Sequence, residues 1–246
     1  MPRPALILAG HGVGDRLQLT VESQHAIARA SRLFVVSPPP AVERFLRAQR
    51  LKPIDLASVC PRGSYADWYL DMAATVLHEV ELNPPVALLV PGNPLLSNAL
   101  ARFLVAKAKE RQIQTSVLPA VSPIDTLICQ VGLDVGTHGL QVFDARRICE
   151  RHLPISPGVP LLILQVGGLS PGDSPGARAG SNFAPLADYL ARYYPPEHPI
   201  VHLANDAATP AAAARLAAFT QLAAQFGPAS TLFVDRLRQG SPGQGE

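Results

Sequence analysis

Two tyrosine hydroxyls could carry chemistry if the segment that holds them is a helix. Tyr65 and Tyr69 are four residues apart, and Met72 and Val76 continue the same spacing. This period places all four side chains on one helical face. Buried hydroxyls need hydrogen-bond partners, so two of them beside a cleft would suit substrate binding or proton transfer. The alternative is that the whole face is core, which we favour for Met72 and Val76.

His11 is a further candidate because it lies in the glycine-rich stretch Gly10–Asp15, directly after an apolar strand at Ala5–Ala9. Glycines at this spacing permit a tight turn in which backbone faces a ligand. The histidine is either a catalytic base or a turn residue whose ring is paired within the fold. A dinucleotide-phosphate loop is a weaker interpretation, since the third glycine of that fingerprint and a later acidic residue are missing.

The segment that positions a ligand runs from Pro85 to Asp134 and is predicted as strand, loop, helix, strand, loop and helix. Val86–Val90 is a continuous apolar run, as expected for a strand buried on both faces. The loop Pro91–Pro94 follows it, and Gly92 permits close approach of backbone to a ligand. We expect Ser97 to cap the next helix, over about 98–111.

A second loop of the same kind follows the short strand predicted at Thr115–Leu118. It has the sequence Pro119–Pro123, and Ser122 is placed to cap another helix. Loops at the carboxyl ends of neighbouring parallel strands form small-molecule sites in open α/β sheets. We therefore predict such a site here, with the remaining chain built around it.

The rest of the chain alternates between predicted strands and helices. We predict irregular backbone over 52–64, a long helix from Tyr65 to about Leu82, a mobile loop over 169–181 and a helix over 210–226. Further strands are predicted at 33–36, 139–143, 160–166, 199–204 and 231–234, with helices at 20–30, 41–49 and 184–194.

Composition excludes several classes of function. The 246 residues suffice for one large or two modest domains. A net charge of +2 without a basic run gives no signal for nucleic-acid binding. No apolar run approaches membrane-span length and no signal peptide is evident, so we expect a cytoplasmic protein.

Metal binding is not expected either. The three cysteines, Cys60, Cys129 and Cys149, lack the spacing of metal ligands and are interpreted as free thiols. His198 and His202 lie near a predicted strand, but the sequence offers them no third ligand.

Several of these stretches occur in the order typical of one family. The first strand with GHGVGD resembles the opening strand and glycine turn of the tetrapyrrole methylases, the class III S-adenosylmethionine-dependent methyltransferases. The loop PGNPLLSN is similar to their GDP-type loop, and PAVSPID to their PGVS-type loop. The resemblance covers nearly the whole chain.

Within that superfamily the chain most resembles the borosin peptide-backbone α-N-methyltransferases. Tyr69-Leu-Asp-Met72 lies about two dozen residues before the loop PGNPLLSN (residues 91–98, called the GNP loop below), as in that branch. Leu164-Gln165-Val166-Gly167 resembles a strand-ending QVG, and the segment 193–202, YYPPEHPIVH, resembles their Y-x-P-E-H-P-V-V-H.

The resemblance implies an α/β fold in which two domains with mostly parallel sheets flank a cofactor cleft. The domains would span 1–118 and 119–237, followed by a disordered tail over 238–246. It also implies a homodimer, and S-adenosylmethionine as the cofactor. Its contacts would come from Pro91, Gly92, Asn93, Leu96, Ser122, Pro123, Gln165, Val166, Leu203 and Ala204.

The chain departs from the borosin pattern near the proposed catalytic residues. Tyr65 stands where these enzymes carry an arginine, and Arg62 is the nearest arginine. The family's further tyrosines are replaced by Ala57–Cys60. We assign Tyr69 as base or positioning residue, Tyr65 as a second hydroxyl and Arg62 as a charge partner.

The chain ends soon after its last predicted strand, so the expected substrate is a precursor peptide supplied in trans, methylated on its backbone nitrogens. Two alternatives remain open. One is a tetrapyrrole C-methyltransferase that acts on cobalamin precursors. The other is a cofactor-binding subunit without catalytic activity, which the missing arginine would favour.

Overall fold

The computed structural model describes residues 4–14, 17–60, 65–169, 183–203, 211–223, 226–227 and 230–237, with the backbone alone at 65 and 66. The chain divides into two compact units, Met1–Thr126 and Leu127–Glu246. The described part of each unit contains one five-stranded sheet. The boundary predicted from the sequence, after residue 118, falls a little before this division.

The first unit alternates strands with helices. Its strands are β1 (Leu6–Gly10), β2 (Arg32–Val35), β3 (Ile54–Asp55), β4 (Val86–Val90) and β5 (Thr115–Leu118). Its helices are α1 (Val21–Ala28), α2 (Pro40–Ala48), α3 (Leu56–Val59), α4 (Tyr65–Leu82) and α5 (Ala99–Glu110), and α6 (Pro123–Val131) continues into the second unit. The predictions for β4, β5 and α4 are confirmed.

The first sheet is parallel throughout and has the strand order β3-β2-β4-β1-β5. One core joins α4 and α5 to the face that carries Leu6 and Leu8. A second core joins α1 and α2 to the opposite face, which carries Ile7 and Ala9. Helices on both faces explain why the central strands β1 and β4 are apolar and buried at every position instead of alternating.

The second unit contains a mixed sheet. Its elements are α7 (Val135–His138), β6 (Gln141–Asp144), α8 (Ala145–Arg151), β7 (Leu161–Leu164), α9 (Ala184–Leu190), β8 (Pro199–Leu203), β9 (Ala212–Arg215), α10 (Phe219–Ala223) and β10 (Thr231–Val234). The order is β6-β7-β10-β8-β9. Strands β6 and β7 pair in parallel, and the three other pairings are antiparallel. The predicted α/β class with two sheets is confirmed. The prediction of mostly parallel strands holds for the first sheet but is wrong for the second, in which three of the four pairings are antiparallel.

The helix predicted over 210–226 is wrong. Among the described residues of this range, the structure has β9 at Ala212–Arg215, a 3-10 turn at Leu216–Ala218, and helix at Phe219–Ala223 (α10) alone. Alanine favours helix intrinsically, but β9 pairs with β8 and its residues alternate between half-buried and exposed. Pairing with an open sheet edge therefore overrides local preference.

Two smaller predictions in the first unit also need correction. Residues 52–64 are not wholly irregular, since β3 and α3 lie within them. The N-cap of α5 is Asn98, whose side chain accepts a hydrogen bond from the Ala101 amide at 2.9 Å. Ser97 has a φ of 51°, and this left-handed backbone is incompatible with the extended conformation of an N-cap. In the described part of the chain, no helix is both long and apolar enough to cross a membrane.

This cap assignment predicts a difference between two neighbouring substitutions. Asn98→Ala should lower the free energy of unfolding by about 1 kcal/mol, because the Ala101 amide loses its acceptor. Ser97→Gly is the control and should not lower it, since glycine adopts positive φ readily. Urea denaturation followed by circular dichroism measures both. Equal stabilities for the two variants would contradict the assignment.

Candidate functional site

The candidate site in the first unit lies at the end of the sheet where three loops leave the carboxyl ends of their strands. Strand β1 is flanked by β4 and β5, and the loops after all three strands start at their carboxyl ends. The chain leaves β1 towards α1 on one face and leaves β4 towards α5 on the other. Neighbouring strands whose connections diverge in this way form a topological switch point, where α/β sheets bind ligands.

Backbone hydrogen bonds tie the first two loops together. The His11 amide continues the sheet by donating to the Val90 carbonyl at 2.9 Å. The Gly92 amide then donates to the Gly12 carbonyl at 2.8 Å. These bonds hold the glycine turn after β1 against the GNP loop after β4.

Gln18 closes the glycine turn from its far end, a role that sequence reasoning missed. Its backbone N–H donates to the His11 carbonyl at 3.1 Å, and its side-chain Oε1 accepts from the backbone N–H of Val13 at 3.0 Å. A glutamine several residues after a glycine turn has no sequence signature of its own, because these contacts depend on how the loop closes.

Two glycines allow the loops to approach each other closely. A Cβ on Gly10 would lie 1.9 Å from the Gly92 carbonyl oxygen and 2.8 Å from the Ala120 Cβ. Gly92 has a φ of 59°, and a Cβ there would lie 3.1 Å from Pro123 Cδ. The structure therefore brings the predicted residues Gly92, Ser122 and Pro123 together at one place.

The GNP loop is ordered by its own asparagine. Asn93 Oδ1 accepts from the Leu95 amide at 2.9 Å, and the Asn93 carbonyl accepts from the Leu96 amide at 3.0 Å. This Asx turn folds the loop back before α5 begins. Pro91 is exposed and Leu96 half-buried, so both can meet a ligand.

Ser122 caps α6 as predicted, and Asp125 completes a reciprocal cap. The Asp125 amide donates to Ser122 Oγ at 3.4 Å, while Asp125 Oδ2 accepts from the Ser122 amide at 2.7 Å and from Ser122 Oγ at 2.6 Å. Serine followed three residues later by an acidic residue is a capping box. The spacing Ser122-x-x-Asp125 is visible in the sequence, but the predicted site did not include Asp125.

His11 is buried, with 3% of its surface exposed, and its Nδ1 has no hydrogen-bond partner among the described residues. Burial lowers the pKa of His11 to about 4, and its own backbone carbonyl offsets part of that effect. The ring is therefore uncharged at neutral pH. An uncharged imidazole offers one donor and one acceptor to a ligand.

The second unit assembles its own predicted residues at one end of its sheet. Gln165 has a φ of 57° directly after β7, and the Val166 amide donates to the Ser230 carbonyl at 2.9 Å. Ser230 Oγ accepts from the Gly227 amide and bonds His202 Nε2, both at 2.8 Å. Leu203 pairs with Thr231, the neighbour of Ser230. Ala204 lies outside the described residues.

Tyr69 is half-buried at the start of α4 and packs against the core of the first unit. Its ring centroid lies 5.8 Å from that of Trp68. Because α4 leads into the amino end of β4, its first turns lie at the opposite, carboxyl end of the sheet. The side chain of Tyr65 and all of Arg62 lie outside the described residues, so their roles stay predictions.

The histidines near β8 are engaged within the fold. His198 Nε2 bonds the Asp235 carbonyl at 2.8 Å, whereas His202 bonds Ser230. Within the part of the chain that the structure describes, no group of three or more His, Cys, Asp or Glu residues could hold a metal ion.

An open α/β sheet with glycine-lined loops at a switch point defines a small-molecule-binding α/β protein. Residues 5–220 match the model of the tetrapyrrole (corrin/porphyrin) methylases. This match covers most of the chain, and the protein therefore belongs to that methylase family.

Relatives with curated descriptions are methyltransferase/cyclic peptide precursor proteins. The chain is 28% identical over 200 residues to a methyltransferase/type III borosin cyclic peptide precursor from Anomoporia bombycina, covering 80% of this chain and 23% of the relative. It is 27% identical over 200 residues to the methyltransferase/omphalotin A precursor of Omphalotus olearius, covering 80% and 48%. The chain thus spans at most about half the length of these relatives.

Solved structures share the fold. A uroporphyrin-III C-methyltransferase from Thermus thermophilus matches with a TM-score of 0.65 and 18% identity, over 94% of this chain and 91% of that one. A second structure of this enzyme, complexed with S-adenosylhomocysteine, matches equally well, over 94% and 96%. At this identity the likeness establishes the fold alone.

The Gly10 contact leads to a stability prediction. Gly10→Ala should lower the free energy of unfolding by about 1–3 kcal/mol, because the new methyl group would force the Gly92 carbonyl away. The control is Gly158→Ala, where a Cβ would meet nothing within 4 Å; there the change should stay within about 0.5 kcal/mol. Chemical denaturation compares the two. A Gly10→Ala protein as stable as the control would contradict the close approach.

Proposed function

We propose that this protein is an S-adenosylmethionine-dependent methyltransferase that methylates backbone amide nitrogens of a precursor peptide. Similarity to borosin methyltransferase/precursor proteins over 80% of the chain carries this proposal. The family match and the converging loops of the first unit support the methyltransferase class. The names of those relatives join the enzyme and the precursor peptide in one protein, whereas we propose that the peptide here is supplied in trans.

The described loops fit such a cofactor. Side chains on Gly10, Gly12 and Gly92 would meet the Gly92 carbonyl, Gln18 and Pro123, so these glycines let the loops converge with their backbone groups close together. His11 presents a buried ring atom that has no partner among the described residues. When bound, S-adenosylmethionine supplies a methyl group on a positively charged sulfur. We propose that the residues named from the family resemblance hold it: Pro91, Gly92, Asn93, Leu96, Ser122, Pro123, Gln165, Val166, Leu203 and Ala204.

The peptide substrate poses a chemical problem that the protein side chains must solve. An amide nitrogen is a weak nucleophile, because its lone pair is delocalised into the carbonyl group. We propose that Tyr69 Oη positions or accepts the amide proton, and that Tyr65 supplies a second hydroxyl. Arg62 would favour the phenolate form of Tyr69 through its positive charge. A homodimer is part of the same proposal, as the family resemblance implies.

Tyr69 offers the sharpest test of these roles. Tyr69→Phe should lower the methylation rate by about 100-fold or more, since positioned proton transfer contributes at least that factor. Affinity for S-adenosylhomocysteine, measured by calorimetry, should stay unchanged. Tyr193→Phe is the matched control, because it also removes one hydroxyl, there bonded to Tyr189 at 3.2 Å. If Tyr69→Phe methylates at the control rate, Tyr69 has no part in the reaction.

The function itself is tested by co-expressing the protein with short peptides encoded beside its gene. Tandem mass spectrometry should find mass increments of one methyl group on backbone nitrogens of one such peptide. Expression of the protein alone is the control, and methylation of its own chain would contradict supply in trans. A protein that binds S-adenosylhomocysteine but modifies none of the peptides would contradict the peptide substrate.

A tetrapyrrole C-methyltransferase is the second candidate function, and the description of the matched family favours it. Incubation with uroporphyrinogen III and radiolabelled S-adenosylmethionine tests it directly. Transfer of label to the macrocycle would establish this activity, and its absence together with peptide methylation would exclude it. A protein that binds S-adenosylhomocysteine but methylates neither substrate would point to a cofactor-binding subunit without activity.

A further inference from the structure

His11 is unusual among the buried histidines of the described chain. Three histidines are nearly inaccessible, namely His11, His198 and His202. The rings of the latter two are paired, with the Asp235 carbonyl and with Ser230 Oγ. Nδ1 of His11 has no partner among the described residues. An unpaired polar atom in the interior is destabilising, so its presence calls for an explanation.

The turn itself does not need this ring. The backbone of His11 is fixed by two hydrogen bonds. Its N–H donates to the Val90 carbonyl, and its carbonyl accepts from the Gln18 backbone N–H. The adjacent Gly12 carbonyl is tied to Gly92 of the GNP loop. Hydrophobic residues would satisfy the same backbone bonds without burying unpaired nitrogen. The imidazole is therefore not required for the hydrogen bonds that hold the turn.

The position of His11 points to the ligand that could use it. His11 follows β1 directly, at the switch point between β1 and β4, and it is one residue from the glycine that binds the GNP loop. That loop supplies four of the residues proposed for the cofactor. The backbone of His11 thus lies beside the loop that supplies most of the residues proposed to bind the cofactor in the first unit.

The charge of the ring suits that ligand. S-adenosylmethionine carries a positively charged sulfur, and an imidazolium nearby would repel it. Burial holds the pKa of His11 at about 4, so the ring is uncharged at neutral pH. It can then donate or accept a hydrogen bond without opposing the sulfonium charge.

We propose that His11 is a further cofactor-binding residue whose buried ring forms a hydrogen bond with S-adenosylmethionine and its product S-adenosylhomocysteine. This inference rests on the proposed function. It assigns a side chain to a site that is otherwise built mainly from backbone groups. It also explains why Nδ1 of a buried ring has no partner among the described residues.

The test uses S-adenosylhomocysteine and isothermal titration calorimetry. His11→Phe keeps a flat ring but removes both nitrogens, and should weaken binding about tenfold, as expected for one lost hydrogen bond. His11→Asn keeps a polar atom at the δ position and should bind within about threefold of the unsubstituted protein. His25→Phe is the matched control at an exposed histidine of α1, and should leave affinity unchanged.

Thermal unfolding separates binding from folding. Without ligand, His11→Phe should unfold at the same temperature as the unsubstituted protein or higher, because it removes an unpaired buried atom. Addition of S-adenosylhomocysteine should raise its unfolding temperature less than it does for the unsubstituted protein. If the phenylalanine proves too large to fold, His11→Leu replaces it in both measurements.

Two results would overturn the inference. One is that His11→Phe or His11→Leu binds as tightly as the unsubstituted protein, which would make the ring a packing element. The other is that His11→Asn loses as much affinity as the apolar variants, which would make shape the decisive property. No binding by the unsubstituted protein would be a different failure, since it would remove the proposed function and this inference with it.

Discussion

The close approach of Gly10 to the Gly92 carbonyl sets the distance between the two central loops of the first unit. The hydrogen bond from Gly92 to Gly12 forms only at this separation. The position of Pro123 against Gly92 follows from the same packing, and it places the Ser122 cap beside the GNP loop. One constraint, the absence of two Cβ atoms, therefore underlies the whole candidate site.

A site built from backbone groups places few demands on side-chain identity. The amides and carbonyls at the loop ends are fixed by strand pairing, by Gln18 and by the caps at Asn98 and Ser122. The likeness to a solved methyltransferase at 18% identity, over 94% of this chain, concerns the fold alone. Under the proposed function, Tyr69 and His11 are the polar side chains that we expect to act beside this backbone framework.

The second unit shows how tertiary pairing overrides local preference. Alanine and leucine in 210–226 favour helix, yet Ala212–Arg215 forms an edge strand against β8. A residue-by-residue propensity cannot register an unpaired strand edge, which exists only once the sheet has formed. The N-cap of α5 illustrates the same limit on a smaller scale. Both Ser97 and Asn98 are suitable by type, and the positive φ of Ser97 decides between them.

The sequence by itself determined the elements whose causes are local or strongly periodic. The apolar run of β4, the spacing of α4, and the cap at Ser122 all follow from residues close in the chain. Family motifs then placed Gly92, Ser122 and Pro123 in one site. Only the tertiary structure decided which backbone atoms meet, that Gln18 closes the glycine turn, and that Nδ1 of the buried His11 has no partner among the described residues. These features depend on contacts between loops far apart in the chain, and no local pattern encodes such distances.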